Sequence, residues 1–214
     1  ARNDYDKYHL FSIGYGYAEN KLIHEIAIGG NLQAMKDFQK ISGEGLYRWE
    51  YAPQKKISFR VFGGYFFNNK TRNNLFDFGT SKLSNYSFSY GLLGQSATDG
   101  ILSQQFILAE GGFKSEVAGS VNQWILSTNV DGHLWKWFNL YADAGVYKNK
   151  GNDPKFIWDS GVKVKVIPDF LEIYFPIQSS LGFEPSFKDY GTRIRYTLIF
   201  DLNSLTNYFR RGWF

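Results

Sequence analysis

The sequence predicts an all-β, antiparallel fold, and three observations carry that prediction. Apolar and polar side chains alternate with a period of two, the spacing that places them on opposite faces of a strand. The alternating segments are about ten residues long, the length that a membrane-crossing strand requires. Aromatic residues make up 19% of the 214-residue chain, which suits two interfacial girdles. Together they predict a transmembrane β-barrel of about ten strands, within a range of roughly eight to twelve.

Four strands are predicted in the first third of the chain. The first has Phe11, Ile13 and Tyr15 on one face and small residues on the other. The division is cleanest in the third strand, where Tyr47 and Trp49 alternate with charged residues. A turn containing proline separates the third strand from the fourth. The predicted strands are 8–18, 21 into the thirties, 40–51 and 56–67.

The second part of the chain is predicted to add six strands after an irregular region. Residues 68–103 are polar and aperiodic, which favours a long loop over the barrel mouth, with an optional short strand at 86–92. Trp135 and Trp137 lie between two strands and suit the lipid headgroup level. The barrel is assigned to 1–202 and an amphipathic, membrane-surface tail to 203–214. The later strands are 104–118, 122–132, 138–148, 156–167, 170–179 and 192–202.

Charged residues occupy the inferred inner face of the predicted barrel. In a barrel of about ten strands, opposite charges on neighbouring strands would pair and fill the narrow interior. This favours an anchor or scaffold over a pore, while a charge-lined channel is the alternative. The inner-face residues are Arg48, Arg60, Lys163, Lys165, Arg193, Arg195, Glu44, Glu50, Asp143, Asp159 and Asp201.

The residues that would carry chemistry do not form a recognisable motif. His24 and Glu25 begin like a zinc-peptidase helix motif, but Ile28 stands where the second histidine is needed, and a strand would separate the pair. His9, Asp99, His133 and Asp131 match no catalytic arrangement. The chain has no cysteine, and its net charge of +4 is too small and too evenly spread for a nucleic-acid surface. We therefore expect no catalytic residues, no metal site, no cofactor and no nucleic-acid partner.

Three stretches carry a resemblance to a known group of proteins. They are FSYGLLGQSATDGILSQQFILAEGGFKS (88–115), LWKWFNLYADAGVYKN (134–149) and PDFLEIYFPIQSSLGFEPSF (168–187). They resemble the C-terminal membrane barrel of large outer-membrane proteins from Bacteroidetes-type bacteria, some of which carry a zinc aminopeptidase-like (gluzincin) domain upstream. The resemblance implies that this chain is one portion of a longer protein. No site residue can be assigned from the resemblance, because the zinc motif of the upstream domain is absent from this sequence.

The sequence thus predicts a barrel of the Gram-negative outer membrane that anchors a larger envelope protein or complex. The expected partners are the lipid bilayer and lipopolysaccharide, with other envelope proteins or an upstream domain as further candidates. No enzyme activity is expected of this chain, whereas a longer parent protein is left open as a metallopeptidase. A porin-like or transport barrel is the first alternative, and a soluble lipocalin-like ligand-binding barrel is the second.

Overall fold

A computed structural model of the protein describes residues 9–53, 55–71, 76–79, 112–115, 117, 119–167 and 171–198. The described chain consists mostly of strands, as the period-two alternation predicts. It contains no helix with the length and apolarity needed to cross a membrane. The elements are β1 (Phe11–Asn20), β2 (His24–Met35), β3 (Phe38–Ala52), β4 (Lys55–Asn69), β5 (Phe78–Gly79), β6 (Ser120–Val121), β7 (Trp124–Trp135), β8 (Phe138–Lys148), β9 (Lys155–Ile167), β10 (Leu171–Ser179), β11 (Gly182–Phe183), a 3-10 turn (Glu184–Ser186), α1 (Tyr190–Arg193) and β12 (Arg195–Leu198).

Ten of the strands form one antiparallel sheet in the order β1-β2-β3-β4-β7-β8-β9-β10, with β11 and β12 both beside β10. The long strands pair over nearly their whole length, so the register keeps each face continuous from strand to strand. The two short strands β5 and β6 pair with each other outside this sheet. The prediction of about ten antiparallel strands is confirmed.

The sheet is open within the described residues, contrary to the predicted closed barrel. Strand β1 pairs with β2 alone, and β12 pairs with β10. Closure requires a further pairing between the two ends of the sheet, and the described part of β12 covers four residues that all lie opposite β10.

The connections between strands divide the sheet into two unlike ends. At one end, β1–β2, β3–β4, β7–β8 and β9–β10 are joined by two or three residues each, and we call it the short-turn end. The opposite end carries the β2–β3 turn and the longer connections β4–β7, β8–β9 and β10–β12, and we call it the long-loop end. Strands β1 and β12 both run from the long-loop end to the short-turn end.

Two predicted strands are wrong where the structure describes them. Residues 112–115 and 117 were predicted within a strand, but they lie outside the sheet, because Lys114 and Ser115 bind side chains of the sheet and not a neighbouring strand. The last predicted strand begins too early, because Arg193 belongs to α1. The optional strand at 86–92, most of the predicted loop at 68–103 and the tail at 203–214 fall outside the described residues.

Candidate functional site

The outer face of the sheet is apolar and exposed. On β4 and β7, the side chains of Val61 and Leu126 are 49% and 55% exposed. A protein that met water on this face would keep such side chains scattered and not contiguous over neighbouring strands. The exposed apolar residues on the strands of this sheet include Phe11, Ile13, Tyr15, Tyr17, Ile28, Leu32, Ile41, Tyr47, Trp49, Tyr51, Phe59, Val61, Tyr65, Phe67, Leu126, Leu140, Phe156, Val166 and Ile177.

The inner face shows a different pattern, since many of its polar and charged side chains are buried, although Glu44 and Lys56 remain about half exposed. Lys40, Asp159, Asn139 and Thr197 are fully buried. Burying a charge is costly unless it is paired, and the inner face supplies the partners. The ion pairs are Arg48–Glu25 (2.5 Å), Arg60–Glu44 (2.5 Å), Lys114–Asp143 (3.0 Å), Lys163–Asp131 (2.8 Å) and Lys163–Glu172 (3.4 Å).

The predicted charge pairing across strands is confirmed for much of the inner face. Arg48 and Arg60 each bind a glutamate of the preceding strand, and Lys163 binds acids of β7 and β10. Lys165 lies in register with one of those acids, Glu172. Glu50 lies 3.7 Å from Lys56. The predicted inner-face residue Asp201 falls outside the described residues.

Arg193 is the predicted inner-face residue that the structure places elsewhere. Its guanidinium binds Glu184 at 3.0 Å and Asp189 at 3.1 Å, within the connection between β11 and β12. Glu184 is fully buried and also accepts a hydrogen bond from Ser179. The hydrogen bond from Arg193 lowers the pKa of Asp189 below its ordinary value. These contacts fix the connection at the long-loop end.

The inner face is covered by a segment that sequence reasoning missed. This inner segment consists of Phe76–Gly79 and Gly112–Ser115. Its side chains Phe76, Phe78 and Phe113 have no exposed surface. They form one apolar cluster with residues of the sheet's inner face: Phe38, Phe62, Phe66, Ile125 and Ile157. The aromatic residues of the inner segment look like those of the outer face in the sequence, so periodicity could not separate them.

Lys40 holds the first part of the inner segment. Its ammonium group donates a hydrogen bond to the backbone oxygen of Phe76. It also lies 5.1–5.3 Å from the ring centroids of Phe38, Phe66 and Phe78, within cation–π range. Burying Lys40 without partners would be costly, and the contacts with the inner segment offset this cost.

Lys114 and Ser115 hold the second part of the inner segment to three different strands. Its ammonium group lies 3.0 Å from a carboxylate oxygen of Asp143 on β8. Its backbone oxygen accepts a hydrogen bond of 3.0 Å from Arg195 on β12. The next residue, Ser115, donates its backbone N–H to Asp159 on β9 at 2.5 Å. These contacts order the inner segment against the sheet.

Two glycines of the sheet leave the space that is occupied by phenylalanine rings of the inner segment. A Cβ atom at Gly64 would lie 2.7 Å from the ring of Phe78, and one at Gly145 would lie 3.0 Å from the ring of Phe113. Such approaches are shorter than van der Waals contact. The inner segment therefore depends on the absence of side chains at these positions.

Replacing Gly64 by alanine is expected to destabilise the folded protein by roughly 1–3 kcal/mol, because Phe78 must move out of its seat. Gly16→Ala is the matched control. Gly16 lies on the inner face of β1, as Gly64 does on β4, and a Cβ atom at Gly16 would meet no atom within 4 Å. Denaturant unfolding of both variants measures the difference. Equal stability of the two would contradict the described seat.

The histidines belong to no metal-binding group among the described residues. His24 and Glu25 point to opposite faces, as predicted: the His24 ring accepts or donates a hydrogen bond with Tyr47 at 2.8 Å, while Glu25 binds Arg48. His9 is exposed, and Asp131 forms an ion pair with Lys163. Within the described ranges, no three His, Cys, Asp or Glu side chains could hold a metal ion together. Asp99 falls outside those ranges.

Comparisons with known proteins found no matching protein-family model, no matching curated protein and no matching solved structure.

Proposed function

We propose that this chain is an outer-membrane β-barrel that serves as the membrane anchor or scaffold of a larger envelope protein or complex. The observation that carries the proposal is the reversed polarity of the sheet. Apolar side chains such as Phe59 and Val61 are exposed on the outer face, whereas charged residues such as Lys40, Arg60 and Asp159 are buried on the inner face. Hydrocarbon outside and a polar interior give this arrangement its lowest free energy.

The lengths of the strands support a bilayer as the environment of the outer face. The strands β1 to β4 and β7 to β9 contain ten to fifteen residues each. A tilted strand of about 9–11 residues crosses the hydrocarbon core. Strand ends such as Trp135 therefore reach the headgroup level, where indole rings are favoured.

The unequal ends of the sheet support one orientation of the barrel in the outer membrane. Outer-membrane barrels have short periplasmic turns and longer extracellular loops. We therefore assign the short-turn end to the periplasm and the long-loop end to the lipopolysaccharide side. Trp135 and Trp137 lie at the short-turn end, and they are 60% and 64% exposed. In this orientation they anchor the barrel in the inner leaflet.

The filled interior favours an anchor over a pore. The inner segment and the ion pairs of Arg60, Lys114 and Lys163 occupy the inner face. This filling argues against the water-filled channel of a porin. An upstream domain of a longer protein, as the sequence resemblance implies, or another envelope protein would then supply the biochemical activity.

Two measurements test the proposal. Expressed behind a signal peptide, the protein is expected to remain in the outer-membrane fraction after extraction with carbonate. Reconstituted into a planar bilayer, it is expected to show no stepwise conductance, with a porin as the positive control. Recovery as a folded protein in detergent-free buffer would contradict the membrane assignment, and regular conductance steps would contradict the anchor in favour of a transport barrel.

A further inference from the structure

Lys114 and Asp143 form the most buried lysine–carboxylate pair in the part of the chain that the structure describes. Their side chains are 6% and 1% exposed, and the Nζ atom of Lys114 lies 3.0 Å from Oδ2 of Asp143. The ring centroids of Tyr141 and Tyr174 lie 5.4 Å from this nitrogen, which also donates a hydrogen bond of 2.8 Å to the backbone oxygen of Gly112. An amine nitrogen and a carboxyl group are thus held side by side where little water reaches them.

The second oxygen of Asp143 is bound by an amide group. Asn129 donates a hydrogen bond of 2.7 Å from its Nδ2 atom to Oδ1 of Asp143. The side-chain oxygen of Asn129 in turn accepts a hydrogen bond from Arg60, which orients the amide. An amide donor at one carboxyl oxygen stabilises the negative charge that develops there when a nucleophile attacks the carboxyl carbon. Oδ1 is therefore placed to become the oxyanion, and Oδ2, beside the lysine, is placed to leave.

Asp159 brings a second carboxyl group to this pair. It lies directly opposite Asp143 in the register of β8 and β9, and it has no exposed surface. Its charge interacts with those of Asp143 and Lys114. Its Oδ2 atom accepts the backbone N–H of Ser115 at 2.5 Å, whereas its Oδ1 atom has no hydrogen-bond partner among the described residues. A buried carboxylate oxygen without a partner is costly, and this one is available to accept a proton from the neighbouring pair.

We propose that Lys114 and Asp143 condense to an intramolecular isopeptide bond, which ties the inner segment covalently to β8. The structure shows the ion pair from which the bond forms. A proton passes from the ammonium group to Oδ2, which gives a neutral amine and a carboxylic acid, and a site with little water favours such an uncharged pair. The amine nitrogen then attacks Cγ of Asp143, and the electron pair of the C=O bond moves to Oδ1, where Asn129 stabilises it.

Asp159 completes the reaction by moving one proton. Its carboxylate takes the proton from the attacking nitrogen and then gives it to the Oδ2 hydroxyl group, which leaves as water. The C=O bond forms again from the electron pair on Oδ1. The products are one amide and one water molecule, so nothing is oxidised or reduced and no co-reactant is needed. The reaction depends on groups buried inside the protein and not on what surrounds the outer face.

A second cluster on the inner face has the same kinds of group but a more hydrated carboxylate. Lys163 lies 2.8 Å from Oδ2 of Asp131 and 3.4 Å from Glu172. Asn139 donates a hydrogen bond of 2.9 Å to Oδ1 of Asp131. The side chain of Asp131 is 23% exposed, however, so water reaches it and stabilises the ions. We therefore expect Lys163 and Asp131 to remain an ion pair, and they serve as the matched comparison within the same chain.

Mass spectrometry of the full chain tests the bond. In denaturant, before folding, we expect the mass that the sequence gives. After folding in lipid vesicles, we expect a mass lower by that of one water molecule. Digestion with trypsin is expected to release a branched peptide in which Lys114 is joined to Asp143, and none in which Lys163 is joined to Asp131. A folded chain that keeps the full sequence mass would overturn the proposal.

Two variants identify the groups that react. Lys114→Arg keeps the positive charge but has no amine nucleophile, so the folded variant is expected to keep its full sequence mass. Asp159→Asn removes the carboxylate that moves the proton, and the folded variant is expected to lose water roughly 100-fold more slowly or not at all. If Asp159→Asn does not fold, Asn129→Ala replaces it, with a slowing of about the same size expected from the lost oxyanion donor.

Two further results would contradict the proposal. Loss of water that persists in Lys114→Arg would overturn it, because a succinimide at another aspartate has the same mass change. A branched peptide containing Lys163 would overturn it as well, because the exclusion of water would then not select the site.

Discussion

Replacing Lys114 by methionine is expected to destabilise the folded protein by about 3–5 kcal/mol, the usual cost of removing one partner of a buried ion pair. The side chains of Lys114 and Asp143 are 6% and 1% exposed, and the structure brings their charged atoms to 3.0 Å. Methionine keeps most of the volume but removes the cation that is paired with the carboxylate of Asp143. Denaturant unfolding in lipid vesicles, followed by tryptophan fluorescence, measures the loss.

The control for this variant is Lys21→Met. Lys21 lies 3.1 Å from Glu19, almost the same separation, but both side chains are well exposed. An exposed pair contributes about 0–1 kcal/mol. Adding Asp143→Asn to Lys114→Met is expected to restore part of the stability, because it removes a charge that had lost its partner. Similar losses for Lys114→Met and Lys21→Met would show that the inner face is hydrated and the inner segment is not seated on it.

Replacing Val61 by arginine is expected to destabilise the membrane-embedded protein by roughly 2–4 kcal/mol. Val61 lies in the middle of β4 on the outer face, so in the proposed membrane its replacement would place a cation near the bilayer midplane. The measurement is again denaturant unfolding in lipid vesicles. On a water-exposed surface the same substitution would be nearly neutral, because the arginine would be solvated.

Phe67→Arg is the matched control on the same strand. Phe67 is even more exposed than Val61, but it lies near the end of β4, where an arginine costs about 0–1 kcal/mol. The difference between the two positions therefore measures depth in a membrane and not the loss of an apolar contact. Equal effects at both positions would contradict a hydrocarbon environment for the outer face.

Much of the sheet could be predicted from the sequence because its cause is local. Alternation along one strand fixes which face is apolar, and no knowledge of the neighbours is needed. Strand β8 begins and ends where the alternation predicts, and β3 extends beyond its prediction by two residues at one end and one at the other. The same reasoning predicts that opposite charges on neighbouring strands pair on the inner face, as Arg60 and Glu44 do.

The inner segment that covers the inner face could not be predicted because the cause of its position is non-local. Phe78 and Phe113 are placed by glycines of β4 and β8, which are far from them in sequence. Lys114 looks like an ordinary solvated lysine in the sequence, and only the tertiary structure gives it Asp143 as a partner. Arg193 was placed on a strand for a related reason: alternation does not reveal that Glu184 and Asp189 bind it within a turn.

The central claim is that the outer face of the sheet meets hydrocarbon and the inner face does not. Ile28 and Ala27 test it most directly, because they are consecutive residues of β2 at the same depth and on opposite faces, and Ile28 is 54% exposed. Two variants are made, Ile28→Cys and Ala27→Cys, and each carries a single cysteine because the chain has none of its own. Each cysteine is labelled with a nitroxide in lipid vesicles. We expect the label at 28 to collide with dissolved oxygen and to be shielded from a water-soluble nickel chelate, and the label at 27 to show less oxygen contact. Free access of the chelate to the label at 28 would contradict the claim.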